Sequence, residues 1–246
     1  MNASETGHAK NMTNLENLIA AITKCGDKYN PSKESIKLTS LQALLESIKE
    51  SFNAFYNTQT AYSKAVAARE IDFEPLSKLI TRINNALKAS DSNMRYDEIV
   101  QSIIRKLQGR RASAKLTPEE KAALEAEGKT KTQISTSQMS YDSRLENFER
   151  LLIQLASIPE YAPNEEELKL ETLKTLYTEL KASNSNVVGA YLTLDRARAV
   201  RNEILYHPIT GLVDRASDTK SYIKSVYGTG STEYKEVSAL LFKNQL

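Results

Sequence analysis

Residues 39–75 read TSLQALLESIKESFNAFYNTQTAYSKAVAAREIDFEP, and the spacing of their apolar side chains decides the fold. Leu41, Leu45, Ile48, Phe52, Phe55, Gln59, Tyr62, Val66, Arg69 and Phe73 fall at alternating intervals of four and three. That is one face of an α-helix, on which residues three and four apart stand above one another. Thr39 with Gln42 reads as a capping box at its start, and Pro75 breaks or kinks it because proline lacks the amide proton and crowds the preceding turn. At 1.5 Å per residue these ~35 residues span roughly 50 Å.

The stripe occurs a second time. Adding 132 to each number up to Arg69 gives Leu173, Tyr177, Leu180, Asn184, Val187, Tyr191, Leu194, Arg198 and Arg201. From Tyr29 to Arg69, 12 of 41 pairs at this offset are identical, including Leu38 with Leu170, Lys49 with Lys181 and Arg69 with Arg201, so the two stretches read as copies. The flanks repeat too. Leu15-Glu16-Asn17 returns as Leu145-Glu146-Asn147, and Tyr29-x-Pro31 as Tyr161-x-Pro163. One inserted residue then sets Pro75 against Pro208, Leu79 against Leu212 and Arg82 against Arg215, and Tyr96-x-Glu98 matches Tyr234-x-Glu236.

Each copy holds four elements in the same order. In the first, Leu15, Leu18, Ile22 and Cys25 mark a short helix capped at Thr13 or Asn14 and ended by Gly26, and an extended Ile36-Lys37-Leu38 leads into the long helix. Leu76, Leu79, Ile80, Ile83 and Leu87 form a third helix, Ser90-Asp91-Ser92 supplies a cap, and Tyr96, Ile99, Ile103 and Leu107 a fourth. The sequence thus predicts an all-α, elongated helical bundle built from two tandem four-helix repeats, each with one long helix. Its expected divisions are a polar N-terminal tail (1–14), repeat 1 (15–107), a linker with a short helix opened by Thr117-Pro118-Glu119-Glu120 (108–140), and repeat 2 (141–246).

Composition agrees with long helices. Eight Gly and six Pro in 246 residues leave few places for turns. A formal charge of +2 gives no general attraction to nucleic acid or an anionic membrane. Cys25 is the single cysteine, which removes an intrachain disulfide and fits a reducing, cytoplasmic setting. Residues 1–12 lack the apolar core of a secretory signal, and no window approaches a membrane span of about 18 apolar residues.

The combination of Ser140-Tyr141-Asp142-Ser143-Arg144-Leu145-Glu146-Asn147, Ile158-Pro159-Glu160-Tyr161-Ala162-Pro163 and Gly211-Leu212-Val213-Asp214 resembles a family of uncharacterised bacterial tandem-repeat all-helical proteins. The resemblance spans about Leu15 to Phe242 and implies a bacterial, non-secreted helical protein with no activity, cofactor or catalytic residue to carry over.

The residues that carry chemistry are few. Arg69 and Arg201 occupy matched stripe positions, and a buried guanidinium needs a partner because an unpaired buried charge is costly. The matched Glu16 and Glu146 are the expected ones, giving structural ion pairs Arg69 with Glu16 and Arg201 with Glu146. The competing reading lets both arginines extend past the stripe to water. Glu203 and His207 share a helix face, but the first copy has no matching histidine, so no metal site is expected. Arg105, Lys106, Arg110, Arg111 and Lys115 form a basic contact patch for phosphates, without aromatics to stack bases and followed by Glu119 and Glu120, which favours a solvated face. No phosphate loop, dinucleotide fingerprint or Ser-His pair is present.

The expected function is therefore non-enzymatic: a structural or protein-interaction helical bundle without cofactor, self-associating as a homodimer or held by a protein partner. Leu44, Leu176 and Val188 widen the apolar face toward such a contact. The alternative is a membrane-active, pore-forming-like helical protein, for which Val187–Leu194 is the most apolar stretch and too short to span. A nucleic-acid adaptor acting through the basic linker ranks third.

Overall fold

The computed structural model describes residues 7–110, 126 and 139–245. Among them all regular structure is helical. The expected helix at Thr117 falls outside the described residues. So do Arg111 and Lys115.

Helix α1 runs from His8 to Lys24 and α2 from Leu38 to Phe73. Pro75 caps α3 (Leu76–Lys88), and α4 (Met94–Leu107) follows with the Asn93 side chain accepting from the Arg95 amide, one residue beyond the expected cap. Helix α5 (Tyr141–Ala156) is capped by Ser140. Helix α6 spans Leu170–Tyr206, α7 Leu212–Tyr227 and α8 Thr232–Ser238. Helix α1 starts well before the expected Leu15, so residues 8–14 are not a tail. Asn11 and Asn14 explain this: both are buried, and both find carbonyl partners that satisfy their amides.

Each connector into a long helix carries a 3-10 turn, Glu34–Ile36 and Glu166–Leu168, so that of the expected extended Ile36-Lys37-Leu38 only Lys37 is extended, Ile36 closing the turn and Leu38 opening the helix. A tyrosine seven residues back pins each one. The Tyr29 hydroxyl donates to the Ile36 carbonyl at 2.5 Å, and the Tyr161 hydroxyl to the Leu168 carbonyl at 2.9 Å. Burial pushes both phenols up to about 12, so they stay protonated donors.

Two compact units result, Met1–Ser63 with Ala190–Leu246, and Lys64–Gly189. Neither coincides with residues 15–107 or 141–246. A 36-residue helix is about 54 Å long, more than one small core covers, so its two halves are buried against different helices. Unit 1 packs α1, the front of α2, the back of α6, α7 and α8 around Leu15, Leu18, Ile22, Leu41, Ile48, Leu205, Leu212 and Ile223. Unit 2 packs the back of α2, α3, α4, α5 and the front of α6 around Phe73, Ile80, Ile83, Ile104, Phe148, Leu151, Leu155, Leu173 and Leu180. Within unit 1, Phe55 meets Arg201 and Tyr62 meets Tyr191, so the two long helices run antiparallel there. Within unit 2, Arg69 meets Asn184 and Asp72 meets Ser183 in the same sense.

Candidate functional site

In unit 2 the guanidinium of Arg69 lies 3.9 Å from the centre of the Tyr141 ring and donates from Nη1 to Asn184 Oδ1 at 2.9 Å. The Asn184 amide then donates to Asp142 Oδ1 at 2.8 Å, so the asparagine relays between cation and carboxylate. Tyr141 stands edge-on to Phe73, and the Arg144 guanidinium lies over the Phe73 ring at 5.1 Å while donating to the Phe73 carbonyl at 3.0 Å. Burial holds the Arg144 guanidinium below the usual arginine range. The four side chains form one chain of contacts, a cation at each end and two edge-on rings between them, with quadrupole attraction standing where an ion pair was expected.

Arg201 in unit 1 is 8% exposed. It sits 4.6 Å from the centre of Phe55 and donates from Nε and Nη2 to Asn202 Oδ1 at 3.2 and 2.9 Å. The two glutamates expected as partners each meet a cation of their own unit. Glu16 belongs to unit 1 and meets Lys49 at 3.5 Å, whereas Glu146 belongs to unit 2 and meets Arg150 at 2.6 Å. Both carboxylates lie on outer helix faces within reach of those cations, and each predicted arginine is in the other unit. Of the basic patch, Arg105, Lys106 and Arg110 stand at the end of α4 and just beyond it. Arg144 was missed by sequence reading, although it lies on the apolar face of α5 between Tyr141 and Phe148, the same signal that singled out Arg69.

Each histidine bonds a hydroxyl: His207 Nδ1 is 2.6 Å from Thr210 Oγ1, and His8 Nδ1 is 2.6 Å from Tyr206 Oη. Tyr206 Oη also accepts from Asn11 Nδ2 at 3.3 Å, so the phenol oxygen joins His8 to the buried asparagine. Burial first, and the charge of Arg201 second, hold the His8 imidazole below its ordinary range. The folded state thus favours neutral His8. Its contribution is complete above about pH 6.5, where the unfolded chain is also neutral, and is lost as pH falls from there toward the lowered native value. Urea midpoints measured across this window are expected to drop with pH in the wild type and to drop less in His8→Gln.

A groove of 620 Å³ with an apolar lining lies in unit 2, between α3 and the front of α6. Pro75, Leu79, Leu173 and Leu176 make its floor. Lys78 and Arg82 stand on the α3 side, Glu167 and Glu179 on the other, and Arg82 pairs with Glu167 across one end. Three or more potential metal ligands nowhere cluster among the described residues, and no helix there is long and apolar enough to cross a membrane. No protein-family model matches the chain, and no curated protein or solved structure matches it either.

Proposed function

We propose that the chain is a non-enzymatic structural or protein-interaction protein, an elongated bundle of two tandem four-helix repeats that associates with itself. The groove between α3 and α6 carries this reading. Its apolar floor suits another protein surface, and its two rims carry opposite charge. A twofold contact brings the same patch of both partners together, so a copy turned over sets the Lys78 rim of one against the Glu179 rim of the other. The duplication is supported by helices of 36 and 37 residues and by two 3-10 turns held by matched tyrosines. The lone Cys25 supports a reducing compartment, and the bacterial family resemblance belongs to the same reading.

Light scattering across a concentration series tests it. The wild type is expected to dimerise, and Leu176→Glu to weaken dimerisation at least tenfold, about 1.4 kcal/mol, by burying a carboxylate on the groove floor. A wild type that stays monomeric at its highest soluble concentration would sink the self-association reading.

A further inference from the structure

Beyond Ser238 the chain leaves the helix and lies as a strap in unit 1, residues 239–245. Helix α4, which shares the Tyr-x-Glu start of α8, continues instead to Leu107. The difference is what α1 offers. Asn11, 2% exposed, pairs with both backbone groups of Lys243: Nδ2 donates to its carbonyl at 2.7 Å and Oδ1 accepts from its amide at 3.1 Å. Its side-chain amide acts as the edge of a neighbouring strand. Asn14, 5% exposed, donates to the Leu241 carbonyl at 2.7 Å. From α7, Lys220 donates to the Leu240 carbonyl and stands 5.1 Å from the centre of the Phe242 ring. Leu240 and Phe242 pack on the unit 1 core, whereas Leu241 is exposed, the alternation of an extended chain.

This is an acceptor groove for an extended segment. Two buried amides read its backbone, and apolar space takes every second side chain. Both amides lose their carbonyl partners when the strap leaves, and an incoming segment with backbone groups in the same places restores them.

We propose that the groove accepts the strap of a second copy, residues 240–243 of one protein seating on Asn11, Asn14 and Lys220 of another, with the exchange reciprocal. The second copy's strap fits because it is chemically identical to the occupant already seated. Swapping an identical element is a low-cost route to dimers, and the non-helical step after Ser238 is the hinge it needs. The internal strap competes at high effective concentration, so exchange grows with protein concentration. This goes beyond the contact at the unit 2 groove and uses unit 1 alone.

Two full-length variants test it. Asn11→Ala cripples the acceptor and keeps the strap, whereas L240S/F242S cripples the strap and keeps the acceptor. Mixed in equal amounts, they are expected to form a one-to-one dimer at concentrations at least tenfold below those at which either associates alone. A mixture that elutes as two monomers, with both variants helical by circular dichroism, overturns the exchange. If either variant fails to fold, Asn14→Ala or Phe242→Ser replaces it. A labelled ALLFKNQ peptide, residues 239–245, gives the second readout. It is expected to bind the strap-crippled chain saturably and to lose that binding when Asn11→Ala is added; peptide binding indifferent to Asn11→Ala also overturns the proposal. Adding Leu176→Glu to both variants is expected to leave the mixed dimer intact, so failure at one surface is read separately from failure at the other.

Discussion

Arg201→Met is expected to leave the stability of the protein unchanged or to raise it by up to about 4 kcal/mol, the range found when buried ion pairs give way to apolar side chains of similar volume. The gain comes from what Arg201 lacks. It is 8% exposed, its hydrogen bonds go to Asn202 of the same helix, and no carboxylate lies within 4 Å of it among the described residues. Against the desolvation penalty stands the Phe55 face, about 0.5–2 kcal/mol of cation–π attraction. Methionine fills the same space with a flexible unbranched chain and loses only that term. Removing the cation also lifts one of the two influences that hold the His8 imidazole down, so the pH dependence between about 6.5 and the native value flattens in the same variant. Urea midpoints for wild type and variant at two pH values check both statements. A variant less stable than wild type by more than about 1 kcal/mol would show that the ring and amide contacts outweigh the buried charge.

The surroundings of Arg201 show where sequence reading stops. Periodicity is local, so the stripes from Leu41 to Phe73 and from Leu173 to Arg201 reported both long helices to within five residues at each end. It says that a face is buried and not against what. Whether Arg69 meets Glu16 or Asn184 depends on which half of each long helix packs with which neighbour, and nothing in residues 39–75 encodes that. The 3-10 turns were missed for a related reason. Glu34–Ile36 is set by a hydroxyl seven residues away rather than by its own propensities. The strap is the extreme case, because Val237, Leu241 and Phe242 fit the helical pattern of α4. Asn11, 232 residues from Lys243, supplies the competing hydrogen bonds that draw the chain out straight. Arg144 alone was legible and overlooked.

Opposite signs are expected from two substitutions in the turn between α6 and α7. Gly211→Ala lowers stability by about 1–3 kcal/mol, the usual result of forcing an atom into filled space. A Cβ at residue 211 would stand 2.6 Å from the His207 carbonyl oxygen, 2.7 Å from its nitrogen and 3.0 Å from the Tyr206 carbonyl carbon, all backbone that cannot swing aside. The Gly211 amide donates to that same carbonyl at 2.8 Å, so relieving the clash breaks the bond that closes the turn. The opposing gain from stiffening the unfolded chain is smaller, about 0.4–1 kcal/mol. Two residues earlier, Ile209 holds φ at 76°, a left-handed conformation in which a β-branched side chain crowds the following carbonyl, and its side chain is 70% exposed. Ile209→Gly therefore relieves strain while sacrificing little burial, and is expected to be neutral or to stabilise by up to about 1 kcal/mol once the added freedom of the unfolded chain is subtracted. Thermal unfolding of the two variants beside the wild type decides the matter. If Gly211→Ala melts with the wild type, the turn has room that its backbone contacts deny. Because the turn delivers Leu212 and Ala216 to the unit 1 core, the loss in Gly211→Ala is expected to reach the Asn11 amide as well, read as faster hydrogen exchange at Lys243.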